Sequence, residues 1–330
     1  MNYIGSKWKL INFVKDTIHR VAGEDLSQKT FCDLFAGTGN VGRAFKTEAQ
    51  RIIANDVEYY SFVLNKNYIE NHVEIPEKQR YIDELNKLPL IDTGLIYKHY
   101  CLGSGSGRQY FSDHNGKKID TIRQRIEKWK NNTNLYYFLL ASLLESADKL
   151  ANTASVYGAY LKHLKKSAQK ELLLEPADFA LHDSSHQVFN EDSNVLIKKI
   201  EGDILYLDPP YNTRQYGANY HMLNTIARYD DFVPSGKTGL RQYHKSDWCR
   251  RSKVEHVFDD LLKNAQFRYI FLSYNNEGLM SMETIRKVMS RYGHYDLAVT
   301  DYQRFKADRD DNRVHKAEKT EEFIHVLETF

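Results

Sequence analysis

Cysteine is scarce in this chain and long apolar runs are missing. Cys32, Cys101 and Cys249 are the three cysteines among 330 residues, and they stand far apart without metal-ligand spacing. That usage points to a reducing compartment and argues against disulfides and zinc. The thirteen histidines are scattered, and no metal is expected. No apolar stretch approaches the length of a membrane span, and the opening Met1-Asn2-Tyr3-Ile4-Gly5-Ser6-Lys7 is no signal peptide. A cytoplasmic protein without membrane contact is therefore expected. Charge of one sign is lacking too: the formal net charge is +2. Any face for a polyanion must come from local clustering. There is no internal repeat and no low-complexity segment. What the chain does have is length for one large domain or a domain with an inserted lobe. It also has 23 tyrosines, side chains that combine a stacking face with a polar handle.

The stretch that organises the rest is Asp208-Pro209-Pro210-Tyr211, directly after the apolar run Ile204-Leu205-Tyr206-Leu207. An apolar run stopped by two prolines reads as a buried strand ending in a rigid corner, since proline fixes its own φ and restricts the residue before it. In open α/β sheets ligands bind at the carboxyl ends of strands. A carboxylate there can accept one hydrogen of an exocyclic amine, and a backbone carbonyl held by the prolines can accept the other. Those acceptors free the nitrogen lone pair, while the Tyr211 ring can stack on the base that carries the amine. The plainer alternative is a strand-to-loop turn with an acidic cap.

Upstream, Thr30–Phe35 reads as a strand, Ala36-Gly37-Thr38-Gly39-Asn40 as a glycine turn, and the run through Val41, Ala44 and Phe45 as a helix. The turn lacks the third glycine of a dinucleotide fingerprint and the Lys-Ser/Thr of a phosphate loop. With Asp33 beside it, it suits a cationic nucleoside without phosphates, such as S-adenosylmethionine. Arg51–Asn55 is a second strand, ending at Asp56 about 20 residues after the turn, where an acid can hold ribose hydroxyls or cap a helix. Asp192, after a short strand at Val188-Phe189, can face an adenine amine or cap the following helix. Later strands are expected at Tyr269–Tyr274, Tyr295–Val299 and Phe323–Leu327, with helices at Phe258–Ala265 and Ser281–Arg291.

The pattern changes in the middle. Asn65–Leu90 reads as helix, Gly94–Gly116 as loop, Lys117–Lys130 as basic helix and Leu135–Leu150 as apolar helix. From Lys98 to Lys130 there are eight Lys/Arg against three Asp/Glu, a surplus of five, interleaved with Tyr97, Tyr100, Tyr110, Phe111 and Trp129. The loop Lys237–Lys253 holds six Lys/Arg against one acid. A basic, tyrosine-lined face can grip phosphates and read base edges; a solvated face is the competing reading. Expected DNA contacts are Lys117, Lys118, Arg123, Arg125, Lys128, Arg214, Tyr220, Arg250, Arg251, Arg304 and Lys306.

Taken in order, these motifs resemble the Dam-like adenine-specific DNA methyltransferases, the alpha group of amino-methyltransferases. The matching segments are Tyr3–Lys7, Asp33–Gly39, Asp208–Tyr211, Asn219-Tyr220-His221, Phe271–Gly278, Tyr302–Lys306 and Glu321–Ile324. Ser6 departs from the pattern, standing where a second glycine is common. The resemblance implies a three-layer α/β/α, Rossmann-like sheet from residues 1–60 and 180–330, with residues 61–179 as an inserted, mostly helical target-recognition domain. It implies that Tyr3 and Lys7 line the methionine end of S-adenosylmethionine and that Phe35, Gly37 and Gly39 shape its turn. Asp56 would hold its ribose, Asp192 would face its adenine, and Asp208 would lie near it as well. Asp208, Pro209, Pro210 and Tyr211 would hold a flipped adenine of double-stranded DNA and direct methyl transfer to its 6-amino group. A cognate restriction endonuclease acting separately would be the natural partner. Methylation of the 4-amino group of cytosine, an RNA adenine methyltransferase and a non-catalytic DNA-binding module remain as alternatives. No cysteine stands at the corner to serve as the nucleophile that cytosine carbon-5 methylation needs.

Overall fold

The computed structural model describes residues 7–302 and 320–330. Two compact units emerge: one from residues 7–57, 182–215 and the described part of 245–330, the other from 58–181 and 216–244.

The first unit is built on seven strands: β1 (Thr30–Asp33), β2 (Arg51–Asn55), β3 (Gln187–Phe189), β4 (Glu201–Leu207), β5 (Gln266–Asn275), β6 (Gly293–Tyr302) and β7 (Thr320–Thr329). Their order is β3-β2-β1-β4-β5-β7-β6. β1 to β5 pair in parallel, and β7 runs antiparallel to both β5 and β6. Each strand expected from the apolar runs is present, β1 ending at Asp33, two residues short of the expected Phe35. The order of the parallel strands reverses between β1 and β4, so the loops leaving those two neighbours open a crevice at the topological switch point.

Side-chain alternation splits the sheet into two faces. Cys32, Ile53, Leu205, Ile270 and Leu327 are in register across five strands and share a core with Phe258, Leu261, Leu262, Ile285 and Val288. Those partners come from the helices Val254–Asn264 and Met282–Met289. On the opposite face Phe31 stacks on Phe45 of the helix Asn40–Phe45, with centroids 4.5 Å apart. The helix Ile11–Ala22 buries Val14, Thr17, Ile18 and Ala22 at helical spacing. Helices thus cover both faces of the sheet, the three-layer arrangement expected.

The second unit is helical: Tyr59–Asn65, Lys78–Asn86, Leu95–Tyr100, Asp113–Ile126, Thr133–Leu150, Tyr216–Asn219 and His221–Arg228. Segment 216–244, which carries the last two, lies in this unit rather than with the sheet. The single helix expected over Asn65–Leu90 is broken by a π-helical turn at Lys66–Glu70. The stretch read as loop, Gly94–Gly116, contains the helix Leu95–Tyr100. Buried Asp120 organises it, accepting from the Ile96 and Tyr97 N–H groups (2.9 and 2.8 Å) and from the Tyr229 hydroxyl (2.7 Å). A Cβ on Gly94 would fall 2.2 Å from Asp120 Cγ, so this glycine marks a close approach.

Burial corrects part of the expected DNA face. Arg123 is 3% exposed. Its guanidinium donates to the Ile226 and Ala227 carbonyls (both 3.1 Å) at the end of the helix His221–Arg228, where a cation complements the helix dipole. Lys118 is buried and donates to the Asn86 carbonyl. Tyr220 is fully buried in the aromatic core with Tyr60 and Tyr157. All three hold the helical unit together from inside, out of reach of a nucleic acid. Lys117 pairs with Asp92 and Arg125 with Glu84, while Lys128 is exposed.

Candidate active site

At the carboxyl ends of β1, β2 and β4, three acids approach one another. Asp33 ends β1 and is 1% exposed. One of its carboxylate oxygens accepts from the Gly42 N–H (3.0 Å), inside the first turn of the helix Asn40–Phe45. The turn between them needs its glycines: Gly37 has φ 52° and Gly39 φ 78°, left-handed values that favour glycine. The Gly39 N–H donates to the Ala36 carbonyl (2.7 Å). Asp56, just beyond β2, accepts from the Gly37 N–H (2.9 Å), so the second acid is tied to the same turn.

Asp208 follows β4. Its side chain is 18% exposed and lies 3.2 Å from Lys7 Nζ. Tyr211 is half-buried, with Lys7 Nζ 5.7 Å from its ring centroid and Tyr274 edge-on at 6.2 Å. The Leu279 N–H donates to the Tyr211 carbonyl (3.0 Å), pinning the end of the corner to the loop after β5. Phe35, in the glycine turn, meets Trp248 edge-to-face at 5.1 Å. Trp248 Nε1–H in turn donates to the Ser193 hydroxyl (3.1 Å).

The electrostatics follow from burial. Desolvation raises the Asp33 pKa to about 7, with Asp208 and Asp56 adding to the rise and the Gly42 N–H opposing it. Desolvation likewise lifts Asp208 to about 6; Lys7 pulls it down and Glu322 pushes it up. A cluster of acids this short of positive charge suits a cationic ligand: an ammonium or sulfonium beside Asp33 and Asp208 would relieve both.

Asp192 is exposed and caps the helix Ser193–Leu196, accepting from the Asn194 N–H (2.9 Å). Arg214, Arg250 and Arg251 are exposed, Arg250 being paired with Asp247. Tyr3, Arg304 and Lys306 lie outside the described residues. Four neighbours of the site had no role assigned from the sequence, although Tyr274 and Glu322 lie in segments that carry the resemblance. Glu322 of β7 sits 3.6 Å from Lys7 Nζ. Buried Asn55 donates to the Leu34 and Glu191 carbonyls and accepts from the Glu191 N–H (3.2, 3.1 and 3.0 Å), joining three strand ends. Trp248 and Tyr274 back Phe35 and Tyr211. The one signal that could have found Asn55 is a polar amide closing an otherwise apolar strand.

Among the described residues, no group of three or more His, Cys, Asp or Glu is placed to hold a metal, and no helix is long and apolar enough to cross a membrane.

Comparison with known proteins bears on the chemistry. The chain is 62% identical over 332 residues to the Type II methyltransferase M.NlaIII of Neisseria lactamica, covering 99% of each protein. It is 37% identical to the Type II methyltransferase M.CviAII of Paramecium bursaria Chlorella virus 1, covering 93% of each. It is 36% identical to the Type II methyltransferase M.FokI of Planomicrobium okeanokoites, matching 99% of this chain but 52% of that longer protein. A family model described as D12 class N6 adenine-specific DNA methyltransferase matches residues 3–288. That description selects adenine over cytosine and DNA over RNA, and it is sharper than the Dam-like resemblance of the motifs. On this match and these identities, the chain belongs to the D12 class of N6 adenine-specific DNA methyltransferases.

Proposed function

We propose that this methyltransferase takes its methyl group from S-adenosylmethionine, bound in the crevice between the β1 and β4 loops, and acts on an adenine turned out of duplex DNA. The observation that carries this reading is the convergence of Asp33, Asp56 and Asp208 at the switch point of the sheet, with Asp33 and Asp208 both raised by burial and by neighbouring acids. Asp33 faces the cationic end of the donor, Phe35, Gly37 and Gly39 form the wall of its turn, and Asp56 takes the ribose. Lys7, with Tyr3, lines the methionine end. Asp192 contributes at the adenine end while keeping its helix cap.

The bound donor supplies an electrophilic methyl on a sulfonium whose departure leaves a neutral thioether. Asp208 accepts one hydrogen of the target amine, and a backbone carbonyl of the Pro209-Pro210 corner accepts the other. These acceptors raise the nitrogen's nucleophilicity and stabilise the ammonium that develops as the nitrogen–carbon bond forms, an electrostatic contribution in a partly dry site. Asp208 can also take up the proton that must then leave nitrogen. Tyr211 offers a ring in place of the lost stacking neighbours. Holding donor and acceptor in line provides the rest of the rate.

The helical unit serves target recognition, with Lys128 among its phosphate contacts and Arg214, Arg250 and Arg251 adding contacts from the sheet unit. By analogy with the Type II methyltransferases it matches, the enzyme protects sites from a cognate endonuclease in a restriction-modification pair and works in the cytoplasm. Calorimetry with S-adenosylmethionine tests the donor assignment. Wild-type protein is expected to bind it, and Asp56→Ala at least about tenfold more weakly, the loss of roughly one charge-assisted hydrogen bond. A flat titration of the wild type contradicts the assignment.

A further inference from the structure

Lys7 faces two acids. Its Nζ lies 3.2 Å from Asp208 Oδ1 and 3.6 Å from Glu322 Oε2. Lys7 is 5% exposed and Glu322 6%. Lys7 is seated on Asp208, within hydrogen-bond distance, with Glu322 a little farther off as a second buried acid. Glu322 stands on β7 opposite Asn275, near the end of β5, and the chemistry described so far leaves its side chain unused. A buried carboxylate is costly, and a sheet ladder asks nothing of its side chain. The chemistry also poses a conflict. Asp208 has to offer its lone pairs to the target amine, yet a lysine cation stands over one of its oxygens.

We propose that Glu322 is a positioning residue that draws the Lys7 ammonium off Asp208 when the target adenine docks, so that Asp208 accepts the amine hydrogen. The proposal rests on the reading of Asp208 given above. Only hydrogen-bond and ion-pair partners are exchanged, and no covalent bond changes. Lys7 stays protonated throughout: burial pulls its pKa down, but Asp208 and Glu322 more than offset that and hold it well above the ordinary lysine value. The charged and titratable groups facing Asp208 are Lys7, Glu322, Tyr206 and Asp33. Neutralising Glu322 therefore does two things. Lys7 loses its alternative seat and stays on Asp208, and Asp208 loses the charge that pushes its pKa up.

Steady-state methylation by Glu322→Gln tests this. The expected kcat loss is at least about tenfold, with KM for DNA and for the methyl donor within about twofold of wild type. The acid limb of kcat is expected to move to lower pH, and Glu322→Asp to recover part of the rate. A role confined to packing would lower the melting temperature without moving that limb. A kcat within about twofold of wild type, or an unmoved acid limb, overturns the proposal. A second test needs no variant: the structure of the wild-type protein with a methylatable duplex and a non-reactive donor analogue. Lys7 Nζ nearer Glu322 than Asp208 supports the exchange, and the reverse overturns it. An active Asp208→Ala enzyme sinks the reading of the site. A wild-type-like Glu322→Gln beside an inactive Asp208→Ala sinks only the exchange.

Discussion

Asp208 works under opposing demands. As an acceptor it has to be ionised, yet burial holds its pKa near 6. Methyl transfer is therefore expected to climb as pH rises through about 6 and then level, which a pH profile of single-turnover rates would check. Stability runs the other way. Asp33 and Asp208 carry folded-state pKa values of about 7 and about 6, above the 3.8 of a free aspartate. Their protonated forms favour the fold. That contribution is complete below about 4 and is lost as pH rises through 6 and then 7. The unliganded enzyme is thus expected to melt lower at pH 8 than at pH 5. Asp33→Asn, which keeps an oxygen for the Gly42 N–H, should flatten the slope. A wild-type melting temperature that rises across the same window contradicts this account of the acid cluster.

At the scale of elements, the glycine turn after β1 is the demanding piece. Gly39 holds φ 78°, a conformation in which a β-branched side chain is strained. Gly39→Val is expected to cost roughly 1–2 kcal/mol, the order of the left-handed penalty, and to weaken donor binding beyond that; denaturant melts and calorimetry separate the two losses. This turn was legible because it is local: strand, glycines and helix are contiguous and each obeys its own pattern. The strands were legible for the same reason, since Ile204–Leu207 and Ile52–Ala54 are runs of buried apolar residues. The middle was harder to read. Arg123 and Lys118 belong to a basic run that reads as a solvated face, and only tertiary packing turns Arg123 inward onto two helix-end carbonyls. The helix Leu95–Tyr100 hides behind Gly94, whose role is to let Asp120 come close. Glu322 could not be tied to Asp208 from sequence, because their meeting depends on β5 and β7 pairing across a long connection.

The whole molecule divides into a sheet unit carrying the candidate chemistry and a helical unit with its own aromatic core. A substitution in the helical unit should therefore act through folding or through DNA, according to its burial. Arg123→Ala strips a donor from the Ile226 and Ala227 carbonyls and is expected to lower that unit's stability by roughly 1–3 kcal/mol for each carbonyl left unsatisfied, seen as early cleavage in limited proteolysis. Lys128→Ala, at an exposed position, should leave melting unchanged and reduce the salt slope of DNA binding by about 1, as for one lost phosphate contact. An Arg123→Ala protein of full stability with only a weaker salt slope would reverse that assignment.

The most direct measurement is transfer of a labelled methyl group to duplex DNA by wild type and by Asp208→Ala, with the DNA then digested to nucleosides. Lys7 keeps Glu322 as a partner when Asp208 is removed, so the variant is expected to fold. The account expects label on 6-methyladenine with the wild type and a loss of at least about a hundredfold in the variant. A folded Asp208→Ala enzyme that methylates adenine at the wild-type rate would contradict it.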